Sequence, residues 1–199
     1  MIKGTIFFVL SVLLGACSTD YSPKPAGYFY IDIPEHDYQT WSACPQFEFA
    51  VSSQAKVVEI PLPVVRESTR KKTNIPGEKW FNIVYPSLNA QIYCSYIPLA
   101  KNGAILEESS QLAFLHARKA DAIQKKIFEN PNQNVYGIVY ELKGNVASPI
   151  QFTLTDSIKS FFRGALYFGN IPNQDSIAPV LEYINEDIHV LIDSFRWKK

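Results

Sequence analysis

The chain has 199 residues, of which 47% are hydrophobic and only 19% charged, a balance that excludes a disordered or low-complexity protein. Its 19 basic and 19 acidic residues cancel, so charge points to neither nucleic acid nor an anionic lipid surface as partner. The three cysteines and three histidines form no Cys-x-x-Cys or His-x-x-x-His pair, so no metal site is expected.

At the N-terminus Lys3 precedes a short apolar run, Ile6 to Leu14, and then small residues. That order describes a secretory signal peptide over residues 1–16. The run is about half the ~20 residues needed to cross a bilayer as a helix. Leu14-Gly15-Ala16-Cys17 resembles the lipobox of bacterial lipoproteins. The resemblance implies that Cys17 becomes the mature N-terminus and carries covalent lipid, which holds the protein to a membrane; no other cofactor is expected. Without residues 1–16, 183 residues remain, with 18 basic against 19 acidic, a net charge of −1.

Residues 17–27 read as the lipid anchor and a Pro-rich tether. Pro23 and Pro25 favour an extended course of ~3 Å per residue, which lifts the rest of the chain roughly 30 Å from the head groups. Pro23, Lys24, Pro25, Gly27 and Tyr28 are candidate partner contacts, since they border an aromatic stretch, Tyr28 to Tyr30, and aromatic residues are enriched at interfaces. Residues 28–199 are expected to form one globular domain. Within it Tyr28 to Pro34 reads as an edge segment ended by proline.

Strands are predicted at Phe47 to Val51, Val57 to Ile60, Trp80 to Tyr85 and Ala90 to Ile97, the last two joined by a hairpin-length link, Pro86-Ser87-Leu88-Asn89. The basic cluster Arg66 with Arg70-Lys71-Lys72 reads as a solvated loop. A helix is predicted from Ile105 to Phe128 because Leu112, His116, Ala120, Ile123 and Ile127 fall three or four residues apart, with Asn130-Pro131-Asn132 as its stop. Strands are predicted next at Asn134 to Leu142, Ile150 to Thr155 and Phe162 to Phe168, with Gly144-Asn145 at the first turn. The unbroken apolarity of Phe161 to Phe168 suggests a central strand in which Arg163 needs a partner. The last helix, Ile177 to Phe195, carries Ile177, Leu181, Ile184, Ile188, Leu191 and Phe195 on one stripe, with Asp175 or Ser176 as cap. This order argues for an α+β fold, an antiparallel sheet packed by two long helices. By element order alone it resembles the Mog1/PsbP-type fold.

Cys44 and Cys94 would meet an oxidising compartment after export, where two readings stand: a disulfide, or two separate buried thiols. Little else is chemically pointed. Asp156-Ser157, Asp175-Ser176 and Asp193-Ser194 supply the residue types of a hydrolase, yet no Gly-x-Ser-x-Gly elbow exposes a nucleophile, and their positions suit turns and caps. His116 lies on an apolar stripe, His189 on a polar helix face near Glu186 and Asp193, and Glu35-His36-Asp37 in a polar loop. No catalytic residue is assigned, and the protein is not expected to be an enzyme.

Several stretches, in order along the chain, resemble one family, the gliding-motility lipoprotein GldD family of the Bacteroidetes. They are Tyr21 to Glu35, Asn89 to Tyr96, Gln151 to Ser157, Phe162 to Phe168, Asp175 to Pro179 and Ser194 to Trp197. Ala26 and Tyr30 depart from the family pattern, which has arginine there. The resemblance implies an accessory envelope lipoprotein for gliding motility, associated with type IX secretion, that binds and positions envelope proteins of that machinery. It supplies no catalytic residues. The alternative is an envelope enzyme or a receptor for glycan or lipid, for which the aromatic richness speaks. Ser18-Thr19-Asp20 is poor in acid beside acid-rich surface-export signals, which favours a periplasm-facing anchor.

Overall fold

Alternation of apolar and polar side chains dictates most of this architecture. Phe81, Ile83 and Tyr85 are buried along one strand while Asn82 and Val84 between them are only half-buried, which is the period of a pleated strand with one face against a core. A computed structural model describes residues 31–61, 76–99, 120–169 and 174–198, all within the compact unit Ile31–Lys199. The described strands are β1 (Tyr38–Trp41), β2 (Phe47–Ser52), β3 (Lys56–Ile60), β4 (Lys79–Tyr85), β5 (Ala90–Pro98), β6 (Ala122–Asn130), β7 (Val135–Lys143), β8 (Ile150–Thr155), β9 (Ser160–Phe168) and β10 (Arg196–Trp197); the helix α1 spans Gln174–Ser194. Seven strands form one sheet in the order β3-β4-β5-β9-β8-β7-β6, and three form a second in the order β1-β2-β10. Every pairing among them is antiparallel.

The small sheet and α1 share one face of the large sheet. Phe47 and Phe49 of β2 point inward at alternate positions, and the Phe47 ring meets Phe81, Tyr96 and Phe162 of the large sheet at 6.1, 5.4 and 5.2 Å. Phe195, just past α1, stacks on Phe47 at 5.4 Å and meets Phe162 at 5.2 Å. Each such fully buried ring contributes about 2–3 kcal/mol of transfer free energy. Helix α1 turns Val180, Tyr183, Ile184, Ile188, Leu191 and Ile192 into this core. Its C-terminal end is fastened by Ser194, whose hydroxyl donates to the Val190 carbonyl at 2.7 Å and accepts the Ala50 N–H of β2 at 2.8 Å.

The expected α+β architecture with two long helices does not hold: the described residues are ten strands in two antiparallel sheets with one α-helix. Residues 105–119 of the expected first helix lie outside the described residues, as does His116. Its remaining part is strand β6, paired with β7 from Ala122↔Lys143 to Asn130↔Val135. Ile123 and Ile127 share a helix stripe, but four is also an even number, so they share a strand face equally well. The Asn130-Pro131-Asn132 stop is instead the turn of the β6–β7 hairpin: Pro131–Gln133 form one 3-10 turn and Asn134 takes a left-handed φ of 51°. The predicted β4–β5 hairpin uses the same device, with Pro86–Leu88 as the 3-10 turn and Asn89 at φ 48°. Asparagine tolerates that conformation because its short polar side chain hydrogen-bonds locally.

The other predicted elements stand with small shifts of boundary, and β9 is a central strand flanked by β5 and β8. Its Gly164 faces Phe152 across the β8 pairing, and a Cβ there would fall 2.3 Å from the Phe152 ring, so only glycine lets that ring lie over the strand. Arg163 finds its partner in Gln151, donating from Nη2 to Oε1 at 2.9 Å. Ile31 to Asp37 carry no regular structure, so the expected edge segment is not a strand in its described part, though Ile31 and Ile33 pack on the core. Helix α1 begins at Gln174, before Asp175 and Ser176, so both stand inside its first turn and neither is the cap.

Candidate functional site

The most concentrated polar chemistry in the described residues surrounds Asp187 on α1. Its spacing from Tyr183 and Leu191 places it on the buried face of the helix, and it is 4% exposed. A carboxylate there must be fully hydrogen-bonded. Tyr85 at the end of β4 donates to Oδ2 at 2.9 Å. Tyr38 at the start of β1 donates to Oδ1 at 2.9 Å, and His36 Nδ1 lies 2.8 Å from the same oxygen. The His36 ring is stacked on Tyr183 at 4.2 Å. Burial and the adjacent Asp187 charge push the Tyr85 phenol far above its usual range, and burial with the Asp187 hydrogen bond does the same to Tyr38. Both therefore remain neutral donors at ordinary pH.

This arrangement resembles the His–Asp half of a hydrolase, but its geometry serves another purpose. In a triad the ring nitrogen remote from the aspartate faces a nucleophile. Here Nε2 of His36 faces the Glu186 carboxylate at 3.1 Å. The cluster ties Ile31 to Tyr38, the first described residues after the predicted tether, to α1 and to the large sheet.

A second feature is a cleft of about 550 Å³ at the edge of the large sheet where β3 ends and β4 begins, lined among others by Trp41, Cys44, Glu59, Glu78, Trp80 and Phe81. Trp41 packs on Phe81 at 5.2 Å and on Phe49 at 5.1 Å, so the inner wall is rigid and aromatic. The Trp80 indole N–H donates to Glu78 Oε1 and fixes ring and carboxylate together. A third is the opposite edge of the same sheet, where β6 exposes Ile127 to 70% and Ile123 to 41%. Among the described strands, β6 pairs only with β7.

The residues singled out in the sequence fare unevenly. Cys17, Pro23, Lys24, Pro25, Gly27 and Tyr28 lie outside the described residues, as do Arg66 and Arg70 to Lys72. Cys44 and Cys94 are both buried and free, and each thiol has its own acceptor: Cys44 Sγ donates to Gln46 Oε1 at 2.8 Å, and Cys94 Sγ to the Ile92 carbonyl at 3.7 Å. Burial pushes the Cys94 thiol up, away from the reactive thiolate. Two of the Asp-Ser pairs have structural partners. Asp156 Oδ1 accepts the backbone N–H groups of Ile158, Lys159 and Ser160 at 3.0, 2.8 and 2.8 Å in the β8–β9 turn. Burial opposes its charge, but those donors prevail and hold the carboxyl below the usual range. Ser194 is held between α1 and β2. His189 pairs across the fold instead of along its helix, with Nε2 3.8 Å from Glu141, which also binds Lys126.

The Asp187 cluster is hidden from a sequence reading because its members come from three separate segments, residues 36–38, Tyr85 and α1. One signal is present: an acid four residues from Tyr183 and from Leu191 sits on the apolar face of α1, and a buried acid demands partners. No curated protein matches the chain. A family model described as gliding motility lipoprotein GldD matches residues 18–197, and the chain accordingly belongs to the gliding motility lipoprotein GldD family.

Proposed function

We propose that this lipoprotein is a non-catalytic module, anchored through lipid on Cys17 and facing the periplasm, that binds and positions partner proteins of the gliding machinery and its associated type IX secretion. The observation that carries the reading is the β6 edge. A nine-residue edge strand with isoleucines 70% and 41% exposed is a surface that proteins normally blunt or cover, and it accepts an added strand or apolar contact from a partner. The Asp187 cluster supports the same reading, because it fixes residues 36–38, which follow the expected tether in sequence, to the core. Confinement at a membrane raises effective concentration without new contacts.

The test is crosslinking in living, motile cells with a photoreactive residue at position 127, and identification of the captured protein. Capture of a motility or secretion component is expected, together with loss of motility in Ile123→Lys/Ile127→Lys at unchanged protein level. Full motility in that variant would overturn the assignment of the edge. Full motility in correctly exported, unlipidated Cys17→Ala would overturn the anchored module.

A further inference from the structure

His36 fastens the stretch from Ile31 to Tyr38 to α1, and both of its ring nitrogens meet an acid. Nδ1 lies 2.8 Å from Asp187 Oδ1, and Nε2 lies 3.1 Å from Glu186 Oε2. A neutral imidazole has one N–H and one lone pair, so it donates to only one of these acids; the imidazolium donates to both. The Tyr38 hydroxyl, 3.0 Å from Nδ1, gives its proton to Asp187 Oδ1 and so turns a lone pair to the ring, which again asks for an N–H at Nδ1. We propose that His36 is a proton-operated latch: its imidazolium holds this stretch as a strap against α1, and loss of the proton as pH rises releases it.

The groups that face the ring are acids and neutral aromatics. Helix α1 supplies Asp187, Glu186 and the Tyr183 ring, stacked at 4.2 Å. The strap itself supplies Tyr38, with Glu35 and Asp37 beside His36 in sequence, and β4 supplies Tyr85, which reaches Asp187. Among the described residues no Lys or Arg lies within ion-pair distance of Asp187 or Glu186. The two phenols keep their protons, so among these contacts only His36 compensates the buried Asp187 charge, and a buried carboxylate without a counter-charge is costly. Histidine changes charge between about pH 5 and 8. The hold of an imidazolium is present on the acid side of that range and is lost as pH rises.

Release ends at Asp37, whose carbonyl accepts the Ser53 N–H at 2.8 Å and whose carboxylate accepts the Ser53 hydroxyl at 2.7 Å. Among the described residues no backbone hydrogen bond holds residues 31–36, and Ile31 and Ile33 add only packing on the core. Freeing that stretch adds up to ~20 Å of extended chain, which on the anchored reading above lets the domain stand further from the membrane.

The experiment places nitroxide labels at Asp32→Cys and Ala178→Cys, both exposed positions, in the purified full chain. Pulsed electron resonance reads their separation from about pH 5.5 to about 8.5, across the histidine range. One narrow distance is expected at the acid end and a longer, broader distribution at the alkaline end, with an unchanged far-UV spectrum that separates release from unfolding. Nitrogen NMR should find protons on both His36 ring nitrogens at the acid end. Glu186→Gln, at an exposed position, should move the midpoint of release to lower pH, because one acid no longer favours the imidazolium. His36→Gln should give the broad distribution throughout, and His189→Gln the parental response. An unchanged separation across the range would overturn the latch, as would a single ring proton on His36 at the acid end, a midpoint that Glu186→Gln leaves unmoved, or a parental response in His36→Gln. Neither membrane nor partner takes part, so the result stands apart from the crosslink at position 127.

Discussion

Asp187 and Glu78 are both acids set among aromatic side chains, yet they sit in opposite situations. Around Asp187 the carboxylate is buried and its oxygens are filled by Tyr38, Tyr85 and His36. At the cleft, Glu78 meets an indole donor and its neighbour Glu59 is exposed, and both border open space. The difference teaches how to separate structural from receptive chemistry when residue types are the same. A polar group whose bonding capacity is exhausted inside the chain holds the fold, whereas one left with free capacity at a concave surface is available to something else.

Four substitutions sharpen that contrast, and they descend in size. Asp187→Ala should cost about 3 kcal/mol of unfolding free energy, since it leaves the buried Tyr85 hydroxyl and the half-buried Tyr38 and His36 without their acceptor; urea unfolding measures it, and a loss below about 1 kcal/mol would show that the cluster is not a structural lock. Tyr85→Phe should cost about 1–2 kcal/mol at pH 7 by deleting one donor. Its pH dependence is also informative. The folded Tyr85 keeps its proton above the ordinary value of 10.0, where the unfolded chain releases it, so stability falls as pH rises past about 10. The variant should show a shallower alkaline decline than the parent.

Asp156 is intermediate, an acid in an exposed turn held by three backbone donors. Asp156→Ala should cost about 1 kcal/mol at pH 7. Because its folded carboxyl titrates below the ordinary 3.8, its contribution is present above that value and is lost as pH falls through the folded one. Acid titration of the parent should therefore reveal a loss that the alanine variant lacks. Last, Glu59→Gln/Glu78→Gln should alter stability by no more than about 0.5 kcal/mol, read by the same urea unfolding. A large destabilisation there would place Glu59 and Glu78 with Asp187, as parts of the fold.

Local patterns make the sheet legible and long-range ones do not. The strands from Val135 to Phe168 and the helix ending at Ser194 can be read because each has a single consistent period and clear punctuation. The stretch from Ala122 to Asn130 reads wrongly as helix because Lys125 and Lys126 favour helix and the isoleucine spacing fits both periods, so the choice falls to tertiary pairing with β7. The turn Pro131 to Asn134 repeats the chemistry of Pro86 to Asn89, so a Pro-x-x-Asn link between two candidate strands is a usable sign of a second hairpin. The short β1 and β10 carry too few residues for any period. The Asp187 cluster and the cleft depend on side chains that meet only in the finished fold, and nothing in residue spacing announces them.

The place of β2 between β1 and β10 bears on when this molecule can fold. Phe47 pairs with Trp197, and Lys198 donates its backbone N–H to Gln46 and its Nζ to the Ser42 and Cys44 carbonyls. The aromatic core around Phe47 and Phe195 is thus sealed only by residues from the far end of the described chain. A nascent chain that has not yet reached Trp197 lacks the strand and rings that complete this half, and closing so long a loop is slow. Formation of the small sheet therefore waits for the segment that carries Phe195 and Trp197, so this half of the core is the last to close whatever the order in which the large sheet assembles.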